Sequence, residues 1–408
     1  MAQDDFDLAI LGAGLAGGLL ALALAQRRPE LRVVLVESGA QPGGNHVWSF
    51  FSSDIADADR WLIDPLISVQ WPAYTVRFDA YARQLDTPYA SVTSEALADR
   101  LAQRLPAGGL MTGAQVVSAH PRGFTLADGR GFTAGAVIDA RGCAAFPHLS
   151  GGWQKFVGLM LRTDAPHGQA MPTIMDAQVA QTDGYRFVYT LPFAADRLFV
   201  EDTYYADTPD VDVTGWRAAI MDYAGRQGLR VAAVEREEVG CLPVVGGGDF
   251  GAFWRATDQG LPRIGSAAAL FHPLTGFSLP KAVETARVIA QMPDLSAGAL
   301  ARFADDWARA HWDQTGYYRL LANMAFAAAL PEQRHRVFQH FYRLERGLVE
   351  RFYAGRSRAY DRARILMGRP PVPVGRAVRA LMGRGQALAR LDILEHNGAH
   401  RASKGTAA

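Results

Sequence analysis

Phe6-Asp7-Leu8-Ala9-Ile10-Leu11-Gly12-Ala13-Gly14-Leu15-Ala16-Gly17 is the stretch on which the reading turns. Residues 6–11 form a short apolar run suited to a buried parallel strand. Residues 19–27, rich in Ala and Leu, suit a helix. A second apolar run, 32–36, ends in Glu37. Each glycine has a separate task. Gly12 permits the tight turn out of the strand, Gly14 lets backbone approach a pyrophosphate, and Gly17 lets helix and strand pack closely. The helix start offers free N–H groups and the positive end of its dipole to phosphate. Glu37, 25 residues after Gly12, is placed to accept hydrogen bonds from ribose hydroxyls. Strand, glycine turn, helix, second strand and acid together point to a dinucleotide site.

The adjoining loop decides between dinucleotides. Pro42-Gly43-Gly44-Asn45-His46-Val47-Trp48 continues from Glu37, as in flavoproteins of the two-dinucleotide-binding type. Gly44 and His46 are expected near the flavin, with Trp48 beside them. A later apolar strand over 136–142 ends in Asp139-Ala140-Arg141-Gly142, which brings Asp139 and Gly142 towards the cofactor. A second signature lies about 250 residues after the first. It comprises Gly265 and then His272-Pro273-Leu274-Thr275-Gly276-Phe277-Ser278, followed by a helix over 281–291. A Gly- and Thr-bearing loop before a helix again makes an anion or flavin-edge site, so Pro273, Thr275, Gly276, Phe277 and Ser278 join the expected cofactor residues. Two distant segments meeting one cofactor favour FAD over NAD.

The middle of the chain reads differently. Residues 91–105 suit a helix capped by Thr93, 115–118 and 123–126 suit paired strands, and a third strand follows Asp128-Gly129. Aromatic, alternating runs at 156–161, 185–191 and 198–205 suit an antiparallel sheet, with 213–226 as a helix crossing it. The expected fold class is α/β: an FAD-binding Rossmann-like domain of the two-dinucleotide-binding type, an antiparallel-sheet substrate domain and C-terminal helices. The domains are placed at 1–150 with 255–295 (FAD binding), 151–254 (substrate sheet), 296–390 (helical) and a disordered tail over 391–408. Glu201 and Asp202 stand side by side in the sheet and point to opposite faces. Adjacent acids in such an aromatic strand are costly unless one is used or both are solvated, and the residues alone leave both readings open.

Bulk properties narrow the class. The chain has 408 residues, 49% hydrophobic and 20% charged, with net charge +1. That length suits two interleaved domains, and the balance names no acidic partner. Two cysteines, Cys143 and Cys241, make neither a disulfide framework nor a metal motif, and suit a reducing cytoplasm. Acidic residues precede the first apolar run, unlike a secretory signal, and no run is long enough to span a bilayer. Residues 300–390 hold 17 Arg against 7 Asp and Glu, interleaved with aromatics from Trp307 and Trp312 to Tyr353. Helix packing explains this, as does a face resting on anionic lipid. Nucleic acid is not expected, because no recognition motif accompanies the charge.

The strings Pro42-Gly43-Gly44-Asn45-His46-Val47-Trp48-Ser49-Phe50, Phe199-Val200-Glu201-Asp202-Thr203 and His272-Pro273-Leu274-Thr275-Gly276-Phe277-Ser278-Leu279-Pro280, with the N-terminal glycines, resemble those of the bacterial lycopene beta-cyclases. The likeness runs from about residue 7 to 389. It implies cyclisation of lycopene end groups to beta-ionone rings, with reduced FAD, no net redox change and NAD(P)H as reductant. It also implies an enzyme peripheral on the cytoplasmic side of the inner membrane. It places the essential carboxylate at Glu201, with Asp202 beside it where the family often has a second Glu. Two other readings compete: an FAD-dependent oxidoreductase (a hydroxylase or polyprenyl reductase) acting on a lipophilic substrate, and a non-catalytic flavin-binding or membrane-scaffold protein. Gly246-Gly247-Gly248 lacks the spacing of a second dinucleotide fingerprint and is read as a turn.

Overall fold

A computed structural model describes residues 5–143, 145–257, 260–328, 334–366 and 386–388. The opening run forms the strand Phe6–Leu11, paired in parallel with Val33–Val36 on one side and Gly131–Asp139 on the other. Helix Leu15–Arg27 begins directly after Gly14 and is buried over most of its length. Its closeness to the sheet rests on Gly17, where a Cβ would lie 2.0 Å from the Gly12 carbonyl oxygen. On its other side it packs against helices Ser94–Arg104 and Leu279–Gln291. The sheet is completed by Leu110–Met111 at one edge and by Gly123–Leu126 and Val116–His120 at the other.

The second sheet has seven strands. In order they are Val231–Gly248, Leu149–Thr163, Arg197–Ala206, Tyr185–Ala194, Thr173–Asp176, Tyr74–Phe78 and Tyr81–Leu85. Helix Val213–Arg226 covers one face, sealing Val157, Leu159, Val188 and Val200 beneath Trp216 and Ile220. Its span matches the expected 213–226. The other face looks towards the cofactor domain and the C-terminal helices. A small third sheet, Val47–Phe51, Tyr89–Thr93 and Val69–Trp71, bridges the two.

Several expectations need correcting. Residues 74–85, placed with the cofactor domain, join the substrate sheet and pair with Thr173–Asp176. The strands expected after Asp128-Gly129 and over 136–142 are one strand, Gly131–Asp139. The helix expected from residue 91 starts at Ser94, because Tyr89–Thr93 is claimed by strand pairing; Thr93 does cap it, accepting from the Ala96 N–H at 3.2 Å. Gly246–Gly248 is not a turn but a strand end: Gly247 and Gly248 pair with Ser150 and Leu149, and Gly246, at a shift of register, lets helix Gly316–Asn323 approach.

The C-terminal region is helical where described: Ala297–Gln314, Gly316–Asn323, Arg334–Phe341, Arg346–Tyr353 and Ala359–Leu366. Several of its aromatics pack inward. Tyr318, Phe338, Tyr342, Phe352 and Tyr353 are buried and cluster with Phe51 and Tyr74, whereas helix Ala297–Gln314 packs on the cofactor domain through Leu300 and Phe303. No helix among the described residues is long and apolar enough to cross a membrane. The proline-rich break at 370–373 and the tail at 391–408 lie outside the described residues.

Candidate active site

One cavity of about 930 Å³ runs between the two sheets and on beneath the C-terminal helices. This is at the large end for ligand pockets. Its first end is built by the opening motif. Gly12 (φ +96°) and Gly14 line it, with Leu15 and Ala16 at the helix start and Glu37 beyond. Gly17 does not reach the cavity; its work is the helix–strand approach. The Glu37 carboxylate is oriented by the backbone N–H groups of Ala13 (2.9 Å) and Gly39 (2.7 Å). Gly44, His46 and Trp48 line the adjoining wall, as do Arg141 and Gly142.

Asp139 and Pro273 are not on the lining. The Asp139 carboxylate instead holds Arg141, accepting from its Nε (2.9 Å) and Nη2 (2.8 Å). The Pro273 carbonyl accepts the Val245 N–H at 2.9 Å and so ties its loop to the substrate sheet. Gly265, Thr275, Gly276, Phe277 and Ser278 do line the cavity. His272 shapes this loop from inside: its Nδ1 accepts from the N–H groups of Leu274 and Thr275, both at 3.3 Å. Burial, reinforced by His311, pushes His272 down to about 3, so it stays neutral as an acceptor.

These residues fit a flavin dinucleotide. The starts of helices Leu15–Arg27 and Leu279–Gln291 both border the cavity, bringing two positive dipole ends to one place. The buried Thr275 hydroxyl has no protein partner among the described residues. At Gly14 a Cβ would meet nothing within 4 Å, so the space in front of it is open. Gly14→Val is therefore expected to leave the unfolding temperature of the flavin-free protein nearly unchanged. Flavin affinity should fall roughly tenfold or more, about 1.4 kcal/mol. Fluorescence titration alongside thermal unfolding checks both.

The second end is floored by the open face of the substrate sheet. Three glycines let aromatic rings lie down on this floor: Phe326 over Gly152, Phe199 over Gly158 and Phe156 over Gly240. Glu201 rises from the same face and lines the cavity. Thr203, two residues on, donates its hydroxyl to Glu201 Oε1 at 2.6 Å. Burial, then the charge of Glu238, pushes the Glu201 carboxyl up to about 8, against the pull of Thr203. The group is thus a neutral acid near pH 7. Tyr189 stands opposite Glu201 on the neighbouring strand, and its hydroxyl is hydrogen-bonded to that of Tyr89.

Asp202 points the other way. It is fully buried under helix Val213–Arg226, accepts from Arg186 Nε and Nη2 at 2.8 Å each, and accepts from the Tyr204 hydroxyl at 3.1 Å. It does not reach the cavity, so the expected sharing of catalytic work with Glu201 is corrected by the strand's alternation. Sequence reasoning missed Glu238. It lies in Val231–Gly248, lines the cavity and is buried. Its Oε1 meets His46 Nδ1 at 2.9 Å and its Oε2 accepts the Val47 N–H at 3.1 Å. Glu235, Glu237 and Glu238 follow one another along this strand, and period-two alternation, which sets Glu238 on the opposite face from Glu237, is the signal that could have found it.

Comparison with known proteins agrees with this geometry. The family model described as lycopene cyclase protein matches residues 7–379. The chain belongs to the lycopene cyclase family. The lycopene beta-cyclase of Pseudescherichia vulneris is 46% identical over 92% of this chain and 97% of its own length. That of Pantoea ananas is 42% identical over 93% and 99%. The chloroplastic lycopene beta cyclase of Arabidopsis thaliana is 24% identical over 70% of this chain and 59% of its own. Among solved structures, PqsL of P. aeruginosa (17% identity, TM-score 0.56, 83% of this chain and 100% of that one) shares the fold. So does p-nitrophenol 4-monooxygenase PnpA of Pseudomonas putida (17%, 0.58, 86% and 98%). This member of the family thus shares the fold of both proteins, and in it a buried carboxyl stands on the cavity floor.

Proposed function

We propose that the chain closes the open end groups of lycopene into beta-ionone rings, giving beta-carotene without net redox change. The observation that carries this reading is Glu201, a neutral carboxyl on an aromatic floor, inside a cavity continuous with a dinucleotide-binding end. Membership of the lycopene cyclase family supplies the substrate. Such a hydrocarbon has no polar handle, so an apolar, ring-lined channel must hold it.

The reaction asks three things of the protein. Glu201 delivers a proton to the terminal double bond; its elevated proton affinity keeps it charged with that proton at neutral pH. The flat rings of Phe199 and Phe156 present π faces to the resulting cation and no hydroxyl that could quench it. Ring closure also requires that water, which would capture the cation, be kept from the reacting end. Gly12, Gly14, Glu37 and residues 274–278 would hold FAD, whose reduced, anionic form supplies negative charge beside the cation when bound. NAD(P)H is the proposed reductant. Collection of a bilayer-dissolved substrate calls for a peripheral position on the membrane. Leu366 supports an approach from the C-terminal helices, since it both lines the cavity and is 43% exposed.

The acid must be protonated to work. Cyclisation is therefore expected to hold below about pH 8 and to fall as pH rises through that value. A pH–rate profile with flavin kept reduced at each pH checks this; a flat profile to pH 10 would contradict it. The activity itself is tested with purified protein, reduced FAD and lycopene in liposomes, without oxygen. A ring-bearing product of unchanged mass supports the proposal, and a change in mass points to oxidoreductase chemistry instead.

A further inference from the structure

Ring closure by protonation returns one proton for each one it takes, so the site needs an acceptor as well as a donor. The sheet register presents one. Gly158 pairs with Glu201 on one side and with Glu238 on the other. Cross-strand partners share a face, so both carboxylates rise from the same floor, their Cα atoms two strand spacings or about 9–10 Å apart. Between them the tip of the Phe199 ring rests on Gly158.

Their surroundings divide the roles. Among the described residues, the Thr203 hydroxyl is what a charged Glu201 has to lean on. Glu238 accepts from the Val47 N–H and meets His46 Nδ1, so both of its oxygens are held by hydrogen-bonding partners. His46 is in turn fixed through its backbone: its carbonyl accepts from Arg236 Nη2 at 2.9 Å, and Arg236 is itself paired with Glu95. The His46 side chain is 47% exposed, against 3% for Glu238. It therefore sits at the outer end of the pair.

We propose that Glu238 is the base that completes the cyclisation, with His46 as the group that holds it in place. This rests on the reading of the site as a cyclase. The Glu201 O–H bond breaks and a C–H bond forms at the terminal alkene carbon. The internal double bond then attacks the cation and forms the ring C–C bond. A C–H bond next to the new cationic centre breaks, its electron pair becomes the ring alkene, and the proton passes to the Glu238 carboxylate. Glu238 then releases the proton to solvent at the exposed His46 end, and Glu201 is recharged from solvent. One proton enters, one leaves, and nothing is oxidised. The position of Glu238 across Phe199 from Glu201 thus selects which C–H bond is lost, and with it the ring isomer.

The test uses full-length wild type and the variants E238Q, E238D and H46N, with reduced FAD and lycopene liposomes under anaerobic conditions. Initial rate, ring-isomer distribution and, separately, flavin affinity are measured. E238Q is expected to form beta rings at least tenfold more slowly. Its products should shift to rings with the double bond elsewhere or to water-captured, hydroxylated rings, and its flavin affinity should be unchanged. E238D should restore part of the rate and the original isomer, while H46N should slow the reaction with less change of isomer. Wild-type rate and isomer in E238Q would overturn the proposal. Should E238Q fail to fold, wild-type behaviour of both E238D and H46N would overturn it equally. A wild-type protein that leaves lycopene unchanged sinks the cyclase reading itself, a result distinct from any pattern among the variants.

Discussion

Glu201→Gln is expected to lower cyclisation by a factor of about 10² to 10⁴, the usual contribution of a positioned general acid, while flavin affinity stays at the wild-type level. Gln keeps the shape of the side chain and can still accept from Thr203, but it has no proton to give. The substitution also removes a burden on the fold. Glu201 carries a carboxyl proton affinity raised from the ordinary value of 4.5 to about 8, so the folded state binds that proton more tightly than the unfolded chain does. Its contribution to stability is fully present below pH 4.5 and is lost as pH rises through about 8. The variant should therefore match or exceed wild type in thermal unfolding at pH 9, and fall behind it only in product formation. Near-wild-type turnover by the variant would remove Glu201 from the chemistry.

The neighbouring position should behave in the opposite manner. Asp202→Ala leaves the Arg186 guanidinium, which remains charged at any working pH, buried without its carboxylate. Breaking one side of a buried ion pair costs about 3–5 kcal/mol, a large share of the roughly 5–15 kcal/mol that holds a typical protein folded. The expected result is a lower denaturant midpoint and a poor yield of folded protein, with normal turnover per folded, flavin-loaded molecule. Replacing both partners, Asp202→Leu with Arg186→Met, should recover much of the loss, because neither charge is then left alone. A selective fall in turnover with unaltered stability would show that Asp202 does act in the cavity.

These two residues show how far the sequence could be read. Strand alternation said that one acid would face the substrate and the other away, and that is how they lie. It could not say which, since that depends on where helix Val213–Arg226 docks. The opening glycines, Glu37 and the loop at 275–278 were legible because each answers a local backbone demand: a positive φ at Gly12 and Gly276, a close approach at Gly17. Asp139 carried the same local signature but serves Arg141, a pairing two residues away that the strand-end pattern does not reveal. Non-local register was not legible. Tyr74–Phe78 joins a strand some hundred residues later, and Glu238 meets His46 across 192 positions. The C-terminal aromatics were read equally well as lipid-facing or inward-packed, because amphipathic helices show an apolar side whatever covers it.

The glycines under the floor rings have a consequence for how such an enzyme changes over time. The bore of the channel is set in part from behind, at Gly158, which has no side chain and lies off the lining. A single added methyl at Gly158 would press into Phe199, tipping that ring upward into the passage. Drift at sites that touch no substrate would thus alter which polyenes are admitted, so a chain of this kind can acquire a new diet without touching its acid.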